Sequence, residues 1–391
     1  MFRIVTNITI TQRPTTAYPS HNKILKLDFL ESFEVESTWE NQTTKGTLTI
    51  PKNLYYLDVN NSKNPLNGTK INVGGFGSEP LFMRGDAITI SAGYKDLQEN
   101  TIFTGYISRV YSQIPIKIDV EDNMWLLKQT PLGTKTFTES DNIEDILKFI
   151  CDKVNAKHKT SITFNALTKT NVGNIIMVEN ETASQLLRRI NTLYKFKSYF
   201  RGNELRCGVL NYLPSDVVRH VFIMNGQAGN IPEDGQELEY SRKDDIVLSA
   251  AAYNTITEDD GVCKNGTTPK KKKTRLEVLV TYKNGEESSK VIANGERVPE
   301  NEEGERRTFF FPQAKTSKEL IDLATQQLKN YYYDGLKGSF ITFGIPFVKH
   351  GDYVELRNPI MQEQNGVFVV KSVEYFFNDG LRQKVTLDFK V

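Results

Sequence analysis

Alternation with a period of two dominates the chain. Leu25, Leu27 and Phe29 alternate with Lys26 and Asp28, and Phe33 and Val35 alternate with Glu34 and Glu36. In TLTIP at 47–51, Leu48 and Ile50 share one face, and Pro51, which has no amide N–H to give a ladder, ends the run. AITISAGY at 87–94 and TGYISRVYSQ at 104–113 keep the same period. Successive side chains on a strand point to opposite faces, so each run predicts a half-buried strand. Several short strands with turn signals between them predict an antiparallel barrel or sandwich over 1–125.

The period then becomes helical. In SDNIEDILKFICDKVN, Ile143, Ile146, Leu147, Ile150 and Val154 fall on one stripe, with Asp141 placed as the N-cap and Glu144 three residues on. In TASQLLRRINTLYKF, Thr182 and Gln185 spell a capping box, and Leu186, Ile190 and Leu193 line one face. SYFRGNELRCGVL reads as a hairpin turning at Gly202 and Asn203. These elements predict a small α+β domain over 126–212.

Strand patterns return in DIVLSAAAYNTI, TRLEVLVTYKNG and SSKVIA, which predict a second β-barrel over 213–315. Its insert at 257–274 is almost free of apolar residues, so burial cannot offset the entropy of ordering it, and it is expected to be mobile. The region 316–391 is expected to complete or brace that barrel. It opens with a helix whose box is Thr316 and Glu319 and whose stripe is Leu320, Leu323, Ala324, Leu328 and Tyr331. GVFVVKSVEYFF, apolar on both faces, follows, and KVTLDFKV alternates Val385, Leu387, Phe389 and Val391 with polar residues. The expected fold class is therefore mainly β with an α+β insert: two similar antiparallel β-barrels plus a small α+β domain.

One punctuation occurs twice. Arg84-Gly85-Asp86 opens the strand AITI, and Gly105 later opens YISRV; His350-Gly351-Asp352 opens YVEL, and Gly366 later opens VFVVKSV. Glycine supplies a backbone angle other residues resist, and aspartate bonds nearby backbone in turns. The echo predicts an internal duplication, one barrel near each end. His350 and Asp352 make a poor catalytic dyad by sequence, since an orienting carboxylate must face the ring. Arg84-Gly85-Asp86 spells an adhesion tripeptide, but its echo lacks the arginine, and turn chemistry explains both copies.

Composition narrows the function. The length of 391 residues suits two or three domains, and 49 basic against 48 acidic residues leave a net charge of +1. Such a balance sets up no global field toward nucleic acid or membrane. No run is long and apolar enough to span a bilayer, and MFRIVTNITITQRPTT lacks the apolar core of a signal peptide. Cys151, Cys207 and Cys263 form no metal or redox pair, and His21, His158, His220 and His350 stand apart, so no metal site, cofactor site or catalytic residue is assigned. Glu121-Asp122 reads as a turn. Lys270 to Lys273 read as a solvated hairpin tip, without the interleaved aromatics of a nucleic-acid groove.

Several stretches, in order, resemble the hub proteins of phage tails and related injection machines, the late control protein D type and the head of VgrG. They are LTIPKN at 48–53, GDAITISAGY with FTGYISRV, VEDNMWLLKQTP at 120–131, NETASQLLRRINTLYKFKSYFRGNELRCG at 180–208, and the closing HGDYVEL, GVFVVKSVEYFF and VTLDFKV. The resemblance implies a virion protein of the tail tip or baseplate, made in the host cytoplasm, that catalyses nothing. It implies a homotrimer whose two barrels per chain form a pseudo-sixfold ring. That ring would join the sixfold tail tube on one face to a separate threefold spike protein on the other, among other baseplate proteins. VgrG chains continue into a further domain and a needle, whereas this sequence ends at Val391. Alternatives are a carbohydrate- or protein-binding β module, another tail adaptor, and a cell-wall hydrolase with two distant carboxylates.

Overall fold

The computed structural model describes residues 3–27, 29–51, 55–58, 69–70, 80–111, 113–168, 171–172, 175–194, 196–208, 218–223, 247–253, 276–281, 288–291, 305–310, 336–357, 365–378 and 380–390. The insert at 257–274, the lysines 270–273 and the helix expected from Thr316 lie outside them. In chain order the first strands are β1 (Ile4–Thr11), β2 (Ile24–Leu27), β3 (Ser32–Thr38), β4 (Lys45–Ile50), β5 (Tyr55–Asp58), β6 (Thr69–Lys70), β7 (Ala87–Tyr94), β8 (Gln98–Tyr111) and β9 (Ile116–Glu121). Then come α1 (Met124–Lys128), β10 (Thr134–Phe137), α2 (Ile143–His158), β11 (Thr163–Ala166), β12 (Ile176–Glu179), α3 (Ala183–Tyr194), β13 (Lys197–Arg201) and β14 (Glu204–Gly208). The later strands are β15 (Arg219–Ile223), β16 (Val247–Tyr253), β17 (Leu276–Thr281), β18 (Ser288–Val291), β19 (Glu305–Phe310), β20 (Leu336–Phe343), β21 (Tyr353–Arg357), β22 (Gly366–Phe377) and β23 (Leu381–Lys390). The protein is mainly β, as its alternation predicts.

Two similar barrels are expected, and closure of neither is seen among the described residues. Among the described residues, fifteen strands share one sheet along an open path, β16-β20-β23-β22-β3-β4-β9-β8-β7-β1-β2-β5-β6, with β15 and β21 branching from β22. The reason lies in the length of β22. Its first residues pair with β21, Tyr353 opposite Val369, and its last pair with β3, Ser372 opposite Thr38 through Phe377 opposite Phe33. Register shifts near Val370 bend the strand between the two partners. Apolar residues on both faces suit a strand covered on both sides, and Phe368, Val369 and Val370 are buried in succession. The sheet is not wholly antiparallel either, because β15 runs parallel to β21. One core results: Ile8, Leu48, Ile88 and Ile118 from the first half pack in one cluster with Phe340, Val354, Val373 and Leu387 from the last.

A second core belongs to the α+β unit. The stripe of α2 is buried as predicted, at Ile143, Ile146, Leu147, Ile150 and Val154, and packs with Leu186 and Ile190 of α3. Leu193, assigned to that stripe, is exposed instead. The N-cap of α2 is one residue later than expected. Asn142 and Asp145 form a reciprocal capping box, while Asp141 turns back to bond the amide of Thr138. Thr182 and Gln185 do form the box predicted for α3. The hairpin β13–β14 turns at Gly202 and Asn203, where Gly202 has φ +63°. No helix among the described residues is long and apolar enough to cross a membrane.

Candidate functional site

The two Gly-Asp marks are the same turn, bond for bond. In the first, Gly85 N–H donates to Ile107 O at 2.8 Å, Ile107 N–H to Asp86 O at 2.9 Å and Asp86 N–H to Met83 O at 3.2 Å. In the second, Gly351 N–H donates to Val370 O at 2.8 Å, Val370 N–H to Asp352 O at 2.8 Å and Asp352 N–H to Lys349 O at 3.0 Å. Each carboxylate then closes its own turn, Asp86 accepting from Met83 N–H at 2.8 Å and Asp352 from Lys349 N–H at 2.9 Å. Gly85 and Gly351 carry φ of +97° and +82°, the region where a Cβ is resisted.

This superposition corrects the alignment of the later glycines. Ile107 matches Val370, so the partner of Gly105 is Phe368 and not Gly366. A Cβ on Gly105 would sit 2.2 Å from Glu121 O, so the first half needs glycine there. In the second half the same place holds a buried phenylalanine paired with Val354.

Each aspartate is met by a histidine that the sequence does not point to. His21 Nε2 lies 2.9 Å from Asp86, and His220 Nε2 lies 3.1 Å from Asp352. The pairs are 65 and 132 positions apart, so no motif spacing could reveal them. A backbone amide completes each set, from Arg13 at 3.1 Å and from Val218 at 3.4 Å. Both carboxylates are buried, and the electrostatics diverge. For Asp86 desolvation dominates and pushes the carboxyl above its usual range, against the bonds from His21, Met83 and Arg13. For Asp352 burial also penalises the charge, but the bond from His220 and the Arg201 guanidinium outweigh it and hold the carboxyl below the usual range.

The α+β unit, with the short helix α1 that leads into it, covers both turns. The Trp125 indole of α1 lies against Gly85, where an added Cβ would be 3.1 Å from its ring, and stacks on Tyr106 at 5.4 Å. Arg201 of β13 donates to Asp352 Oδ1 at 2.8 Å and to His350 O at 3.1 Å. His350 faces away from Asp352 as a partner: its Nδ1 meets Ser37 at 2.6 Å and its ring packs edge-on to Tyr199. Beside it lies a crevice of about 230 Å³, walled by Ser37, Thr44, Phe103, Asp122, Phe200 and Tyr375 among others.

Burial pushes the thiols of Cys151 and Cys207 up to about 12 and about 11, where a thiolate nucleophile is not formed at neutral pH. Cys263 lies outside the described residues. His158 meets Thr130 at 3.0 Å, far from the other histidines in role, and among the described residues no three His, Cys, Asp or Glu side chains cluster to hold a metal. Glu121 and Asp122, read as a turn, separate in function. Glu121 pairs with Lys128 at 2.6 Å, and Asp122 accepts from the amides of Thr44 and Met124.

No protein-family model matches the chain, and no curated sequence matches it. Solved structures do. The 43 kDa tail protein of prophage MuSo2 from Shewanella oneidensis superposes with a TM-score of 0.55 at 12% identity, over 98% of both chains. The tail protein from Neisseria meningitidis MC58 gives 0.57 at 12%, over 98% of this chain and 96% of its own. The prophage tail protein gp18 from Listeria monocytogenes EGD-e gives 0.51 at 10%, over 98% and 95%. Across nearly its whole length, this chain has the fold of phage tail proteins.

Proposed function

We propose that this chain is a structural hub of a phage tail tip or baseplate, a virion component that catalyses nothing and holds no metal or cofactor. The observation that carries the proposal is the repeated turn. Two β units of one chain, joined in a single sheet, share the same Gly-Asp bonding scheme. Three copies closed into a ring present six such units, because closed cyclic symmetry multiplies the two by three. A ring of that kind meets a sixfold tail tube on one face and a threefold spike protein on the other. In this reading the first β unit is 1–125, the α+β unit 126–212 and the second β unit 213–315, which the helix and closing strands of 316–391 complete or brace.

Electron cryo-microscopy of the assembled particle tests it. Three copies of the chain around the tail axis, alternating first and second β units, are expected. A ring of six copies, or a position outside the tail, would overturn the proposal.

A further inference from the structure

The two turns are covered by the α+β unit in unlike ways. Trp125 follows β9 after only a short stretch of chain, and its ring is wedged between Gly85 and Tyr106. That contact is apolar and adjoins a covalent junction. Arg201 reaches the second turn from the far end of the unit, through charge and two hydrogen bonds. Its side chain is 12% exposed and that of Asp352 only 2%, so the pair is largely removed from water.

Packing differs in the same sense. The crevice of about 230 Å³ follows the seam at the second turn, with Phe200, Arg201 and Gly202 on the unit's wall and Lys349, His350 and Tyr375 on the sheet's. Dense interiors leave few voids larger than a water molecule, so this seam is less completely packed than the cores on either side. His350 Nε2 is buried there without a hydrogen-bond partner, a cost of closure that water would relieve on opening.

We propose that Arg201 is a latch. It holds the β13–β14 hairpin, and with it the α+β unit, shut against the second Gly-Asp turn, and its release lets the seam open about the contacts beside the covalent junction that follows β9. Those contacts are Asn123 on Asn203 at 3.0 Å and Trp125 on Gly85 and Tyr106. They are short-range and lie at the pivot, so they survive a small rotation. The bonds of Arg201 span the seam and do not.

Pulsed electron spin resonance on the full chain tests this, with labels on Glu34→Cys in β3 and Glu144→Cys in α2, both exposed. The parent should give one narrow distance. Arg201→Ala should add a second, longer population, since removing one partner of a buried pair shifts the open-to-closed ratio on the order of 100-fold. Arg201→Lys, which keeps the charge but not the forked bond, should give a smaller second population. The melting transition of the sheet is followed in parallel. If Arg201→Ala melts as the parent does and shows the parent's single distance, the latch is overturned. Should Arg201→Ala fail to fold, Arg201→Lys decides: a second population supports the latch, and an unchanged distance overturns it.

Discussion

The Ser37 hydroxyl lies 2.6 Å from Nδ1 of His350, a contact that spans 313 positions of chain. It fixes the imidazole between the two halves of the sheet, deep enough that burial, and then the charge of Arg201, depress its pKa from 6.5 to about 3. Arg206 and Lys349 act in the same direction, and Asp352 opposes them. The unfolded chain takes up a proton near pH 6.5 that the folded protein refuses. Stability is therefore lost as pH falls from about 6.5 to about 3, at roughly 1.4 kcal/mol per pH unit. Urea denaturation at stepped pH should show this slope weakened in His350→Gln relative to the parent. Parallel curves for the two proteins would contradict it.

Asp122 should behave with the opposite sign. Burial raises its pKa from 3.8 to about 7, against the favourable amides of Thr44 and Met124. The folded protein keeps a proton that the unfolded chain has lost, so this contribution to stability falls as pH rises from about 4 to about 7. The slopes of Asp122 and His350 cancel over most of that range. Asp122→Asn should therefore leave a protein that loses stability more steeply than the parent on acidification, read from the same urea series.

Alanine at the two turn glycines should cost unequal amounts. A left-handed backbone angle costs a non-glycine residue about 1–2 kcal/mol. At Gly351 little else opposes a Cβ, the nearest atom being an Arg201 nitrogen at 3.5 Å. At Gly85 the added atom also meets Trp125 at 3.1 Å. Chemical denaturation should find Gly85→Ala the less stable of the two. Equal losses would mean that the indole shifts without cost.

The closing strand should tolerate no truncation. β23 lies between β20 and β22, so its loss strips a ladder from each. Leu387 is fully buried, and Leu387→Ala should destabilise by about 2–5 kcal/mol. Deletion of 384–391 should leave no soluble folded protein. A soluble product with the parent's melting curve would contradict the topology.

Much of this architecture is legible in local pattern. Strand alternation at Leu48 and Ile50, the stripe from Ile143 to Val154 and the box of Thr182 and Gln185 are all short-range signals, and each element forms where its period changes. What pattern could not reveal is long-range. Gly85 and Gly351 announce turns, yet His21, His220 and Arg201 reach those turns from distant strands and loops, with nothing in their own neighbourhoods to mark them. The placement of Asp141 as a cap failed by one residue because Asn142 competes for the same amides. The match of Gly105 with Gly366 failed because composition was aligned where hydrogen bonding sets the register. That β22 joins the strands of both expected barrels was not legible, since an apolar strand of twelve residues does not say how many neighbours it serves.

The pairing of Phe33 with Phe377 also sets a clock for biosynthesis. β3 emerges from the ribosome early, and the strand that covers its outer edge is made more than 300 residues later. At about 5–20 residues per second the wait is on the order of half a minute. Through that interval Phe33 and Val35 stand on a strand with one ladder unfilled, the geometry on which nascent chains stick to one another. The alternating Glu34 and Glu36 are exposed on the same strand and place like charges along it. They repel a second copy of that edge until β22 arrives.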